Sequence, residues 1–133
     1  MTRAKYIGRE RRRYLRVPSR CVVKYVKLSS KLRPLANLIL KSYMKDICAA
    51  GMKFVAHKKI PMHTIIEFQF EIHDIKKSIE GLGEVVRIKS KDGGKSYNVG
   101  MKFIWIQQRN VELIDGYVRK KMLKQVVKKL EKK

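Results

Sequence analysis

Between His63 and His73, Ile66, Phe68, Phe70 and Ile72 alternate with Glu67, Gln69 and Glu71. Successive side chains of an extended strand point to opposite faces, so this segment has one apolar face and one polar face. It is read as a strand whose apolar face meets a core. The same period returns after Asp92-Gly93-Gly94, a hairpin signal. There Tyr97, Val99, Met101, Phe103 and Trp105 alternate in a closing strand, with Gly100 as its small interruption.

Four further extended segments precede or separate these two. Pro18 discourages a helix through its own position and the residue before it, and the Val- and Tyr-rich run Cys21–Leu28 after it reads as a strand. Leu35–Ile47 and Met52–Ala56 follow, with Ala49-Ala50-Gly51 between them allowing a tight change of direction. In Lys77–Lys89, Gly81 and Gly83 suggest a bulge or bend that a closing sheet would use. Six strands in sequence predict an all-β core, a small six-stranded antiparallel barrel.

Beyond Gln107 the period changes. Val111, Ile114 and Val118 recur at helical spacing, so a helix starts near Gln108 or Asn110 and runs to about Leu130. Its first turns pack on the barrel. Its second half keeps Val126, Val127 and Leu130 as an apolar edge among lysines, and reads either as a solvated end or as a surface for a partner or a membrane. The organisation expected is a basic segment over residues 1–19, a barrel over 20–107 and a basic helix over 108–133, one domain in all. A length of 133 residues leaves little room for a second.

Several classes of function are disfavoured. The longest apolar run, Leu35–Leu40, is broken by Asn37 and falls far short of the roughly 18 residues of a membrane span. No apolar stretch follows the basic start as a secretory signal would require, so the expected location is the cytoplasm. Cys21 and Cys48 are too few for a disulfide framework and are expected to be buried thiols in a reducing compartment. His57, His63 and His73 lack metal-ligand spacing, so no metal is expected. Gly94-Lys95-Ser96 ends like a phosphate-binding loop, but Lys89 stands where that motif needs glycine. No nucleophile elbow is present, and Glu67 and Glu71 lie on a polar strand face. The chain is not expected to be an enzyme.

Charge points elsewhere. The net charge is +22, of which residues 1–33 carry +11, residues 34–108 carry +5 and residues 109–133 carry +6. The excess sits at the ends, which suits an anionic partner, phosphate above all. Lysine dominates the C-terminal end, whereas residues 9–16 read Arg-Glu-Arg-Arg-Arg-Tyr-Leu-Arg. Arginine offers a planar fork for bidentate phosphate or guanine contacts.

Two motifs organise these observations: Arg11-Arg12-Arg13-Tyr14-Leu15-Arg16 ahead of the first strand, and Asp46-Ile47-Cys48-Ala49-Ala50-Gly51 between the second and third. Together they resemble the PilZ domain family, marked by RRxxxR and [DN]xSxxG. Arg11, Arg12 and Arg16 match the first motif, Asp46 and Gly51 the second, and Cys48 departs from its serine. Asn98-Val99-Gly100-Met101-Lys102-Phe103 looks like the family's closing strand, so the resemblance extends over nearly the whole chain.

The resemblance implies a bacterial cyclic di-GMP receptor in second-messenger signalling, of the kind that governs motility, biofilm formation and polysaccharide production. It implies Arg11, Arg12, Arg16, Asp46, Cys48, Gly51 and Gly100 as the ligand-binding set. The arginines suit the phosphates and the O6 and N7 acceptors of guanine. Asp46 suits its N1 and N2 donors, and Gly51 would allow close backbone approach. No cofactor is implied. The expected action is that of a stand-alone adaptor: an arginine segment orders around the ligand and signals to an unidentified downstream protein, with a homodimer through the helix as one further form. Two alternatives stand beside it, a PilZ-like interaction module without ligand and a small basic barrel that binds nucleic acid.

Overall fold

The computed structural model describes residues 16–35, 38–73 and 76–131. Seven strands and one long helix follow in the order β1 (Val17–Pro18), β2 (Val22–Leu28), β3 (Leu40–Cys48), β4 (Gly51–Ala56), β5 (Ile65–Ile72), β6 (Lys77–Lys91), β7 (Ser96–Ile106) and α1 (Gln108–Glu131). Every pairing is antiparallel, in the order β1-β3-β2-β5-β6-β7-β4, and β4 returns to pair with β3. That last pairing closes six strands into the expected barrel and leaves β1 as an extra short strand on β3.

The alternation read in β5 is the barrel's inside and outside. Ile66, Phe68, Phe70 and Ile72 are at most 2% exposed, while Glu67, Gln69 and Glu71 face solvent. The Phe68 ring lies 5.1 Å from that of Phe103 and 5.9 Å from that of Phe70, and Tyr25 meets Phe54 at 5.0 Å across the interior. Outside, the His63 ring meets the Glu84 carboxylate at 2.7 Å, and with Lys102 nearby this holds Glu84 below its ordinary value of 4.5.

Two expectations need correction, and one strand was not expected. Leu35, Leu38 and Ile39 are not strand: β3 begins at Leu40, and these three stand in solvent on the β2–β3 connection, while residues 36 and 37 of the expected strand lie outside the described residues. Trp105 is 48% exposed rather than inward, whereas Ile106 is buried. The cause is a bulge. Leu82 pairs with Trp105 but the next residue, Gly83, pairs with Phe103, so the extra residue Ile104 flips the side that follows it. A Cβ on Gly83 would come within 2.3 Å of Met101 Sδ, which explains glycine there. Finally β1 carries no periodic signal, being two residues that end in a proline tolerated at a sheet edge.

Helix α1 buries Val111, Ile114, Tyr117 and Val118. It packs on β3 and on β1, where Lys121 Nζ donates to the Pro18 carbonyl at 2.9 Å and the Tyr117 and Ser19 hydroxyls meet at 3.4 Å. Beyond that grip Leu123, Val126, Val127 and Leu130 are exposed. No described helix is long and apolar enough to cross a membrane.

Candidate functional site

Strand β1 is what brings Arg16, the last residue of the first motif, to the second. Its antiparallel register sets Val17 opposite Ile47 and Pro18 opposite Asp46, which extrapolates to Arg16 facing Cys48. The Arg16 guanidinium donates through Nη1 to Asp46 Oδ1, while Nη2 lies 3.4 Å from Cys48 Sγ. Thirty residues of sequence separation disappear in one register.

Strand β4 adds the next member. It folds back on β3 with Gly51 opposite Cys48 and Lys53 opposite Asp46, past an irregularity between Met44 and Asp46. Lys53 Nζ thereby lies 3.6 Å from Asp46 Oδ2, so one carboxylate is shared by two cations. The neighbouring strand β7 contributes Asn98. Arg16, Lys45, Asp46, Lys53 and Asn98, with the backbone of β1, line an open cleft of about 340 Å³. Three cations against one acid make it a place for an anion.

The ion pair at its centre is not a stability device. The Arg16 and Asp46 side chains are 39% and 19% exposed, and pairs that water reaches contribute about 0–1 kcal/mol. An anion that offers the guanidinium better partners displaces Asp46 at little cost, and the freed carboxylate becomes an acceptor for N–H donors. Asn98 is in a complementary condition. Its Oδ1 is buried without a hydrogen-bond partner among the described residues, which costs about 1–3 kcal/mol until a donor is supplied.

Of the seven residues read from the sequence, Arg16, Asp46 and Cys48 meet directly. Arg11 and Arg12 lie outside the described residues. Gly51 is buried, and a Cβ there would run into the Met101 carbonyl oxygen, so the close approach of β4 to β7 requires glycine at this position. Gly100, on β7, pairs with Lys53 of β4 and Arg87 of β6 and is not among the described residues that line the cleft. Lys53 and Asn98 were not among the candidates. Each looks like an ordinary strand residue until the register places it, and only the position of Asn98 in the closing-strand motif hinted at a role. Among the described residues no cluster of His, Cys, Asp or Glu is arranged to hold a metal. Both cysteines are buried and unbridged.

Comparisons with known proteins bear on this geometry. The model of the PilZ domain family matches residues 10–120. Among solved structures, the PilZ domain of YcgR from Escherichia coli with c-di-GMP superposes with a TM-score of 0.64 at 12% identity, covering 92% of this chain and 99% of that one. The Bacillus subtilis inhibitor of motility, MotI/DgrA, superposes with a TM-score of 0.70 at 13% identity and covers 84% of this chain; the chain spans about half of that protein, 51%. No curated protein matches the chain in sequence.

Proposed function

Because the chain belongs to the PilZ family, we propose that it is a receptor for cyclic di-GMP, a non-catalytic switch in the cytoplasm that signals to a partner protein. The observation that carries this reading is the meeting of Arg16, Asp46 and Lys53 around one anion-favouring cleft. The ligand presents two phosphates and two guanines. Arg16 and Lys53 suit a phosphate or the O6 and N7 edge of guanine, while Asp46, once released from Arg16, suits the guanine N1 and N2 donors. Arg11 and Arg12 are assigned to closing the segment over the ligand, where the anion neutralises a run of like charge.

The route from ligand to output runs through β1. Arg16 precedes it directly, and α1 holds it through Lys121 and Tyr117. A pull on Arg16 is thereby a pull on the helix. Competition tests the reading: labelled cyclic di-GMP should be displaced by unlabelled cyclic di-GMP but not by matched charge concentrations of GMP or duplex DNA. Equal displacement by all three would identify a general polyanion binder instead.

A further inference from the structure

The β2–β3 connection holds four large aliphatic side chains in solvent: Leu32, Leu35, Leu38 and Ile39 are 53, 60, 59 and 65% exposed. Such a cluster on one short segment marks an interaction surface rather than scattered exposure. Its first part, as far as Leu35, is pinned. The Leu35 amide donates to the Lys27 carbonyl at 2.9 Å and the Ser29 amide to that of Arg33 at 2.7 Å, while the Lys31 and Arg33 amides both reach the Ser29 hydroxyl. Leu32 is held at φ 59, a left-handed backbone that a leucine adopts only under constraint.

Leu35, Leu38 and Leu40 wall a recess with Tyr25 and Ile60. Its volume is about 210 Å³, below the roughly 300 Å³ at which pockets for free small ligands begin. It fits one or two side chains of something larger. The rim is cationic: Lys27, Lys41 and Lys58 line it beside His57, and among the described residues no acidic side chain does. Lys31 and Arg33 stand on the same connection.

That charge selects the occupant. A second copy of a chain carrying +22 would be repelled. A bilayer has no side chain to seat in a concave recess, whereas an acidic peptide with an apolar anchor satisfies both recess and rim. We propose that this groove docks an acidic segment of a partner protein, with an aliphatic or aromatic side chain seated against Leu35, Leu38 and Ile60 and its flanking carboxylates paired with Lys27, Lys41 and Lys58. Among the described residues the groove shares no lining residue with the Arg16–Asp46 cleft, so the proposal stands independently of the ligand.

A displayed random-peptide library panned on the whole protein, with counter-selection on the Lys41→Glu/Lys58→Glu double variant, tests it. Enriched peptides should carry one apolar anchor flanked by Asp or Glu. Measured by fluorescence anisotropy, they should bind at least about tenfold more weakly to the double variant and to Leu38→Ser, with Asp46→Ala unchanged. The changes at Lys41, Lys58 and Leu38 are on the surface, and a retained thermal transition checks that every variant folds. Failure to enrich peptides, enrichment without the acidic and apolar pattern, or equal binding to the variants would overturn the proposal. So would tight, Leu38-dependent binding to phosphatidylglycerol vesicles in the absence of peptide binding.

Discussion

At position 48 a buried thiol stands where the family motif carries a hydroxyl, and its sulfur meets the Arg16 guanidinium at 3.4 Å. Sulfur is a weak acceptor and a weak donor, so a hydrogen bond that serine would give to the site is largely missing. Cys48→Ser should tighten cyclic di-GMP binding by about fivefold, the equivalent of about 1 kcal/mol, in a calorimetric titration. Weaker binding would mean that the thiol is itself a positive contact. Gly51 works differently. Gly51→Ala pushes a methyl group into the Met101 carbonyl and should cost about 1–3 kcal/mol, lowering the thermal midpoint by several degrees; an unchanged midpoint would contradict the packing described. These residues were legible because motifs flag them. Lys53 was not, because a lysine two positions beyond Gly51 has no distinctive neighbourhood until β3 and β4 pair.

Elements divide in the same way between local pattern and tertiary context. Strands β5 and β7 could be read because each keeps one face buried over many residues, and α1 because three buried side chains repeat at helical spacing. The β2–β3 connection was misread because its leucines and isoleucine are apolar yet exposed, so hydrophobicity there did not signal a core. Trp105 was placed on the wrong face because the bulge that Gly83 marks on β6 inserts its extra residue, Ile104, on β7, where nothing in the sequence marks it. The helix allows a direct check on which half is held. Ile114→Ala should lose about 2–5 kcal/mol in chemical denaturation, whereas Val126→Ala and Leu130→Ala should stay within about 0.5 kcal/mol of the parent. Equal losses would mean that the distal helix also packs.

For the molecule as a whole, barrel and charge perform separate tasks. The interior is apolar and closes through the β3–β4 pairing, while most of the +22 lies at the two ends of the chain. Barrel order was legible from six successive strand signals; the way β1 carries Arg16 to the second motif was not, since two residues of edge strand leave no trace in composition. Long-range attraction to any polyanion follows from the net charge and fades with salt, but a guanidinium sharing one carboxylate with a lysine beside an unpaired amide carbonyl is a local feature that salt screens less. The most direct measurement is calorimetry of the whole protein with cyclic di-GMP at physiological ionic strength, repeated on Arg12→Ala and Asp46→Ala. Saturable heat in the parent, reduced by at least about tenfold in affinity by either substitution, is the predicted result. No saturable heat, or binding indifferent to both substitutions, would contradict it.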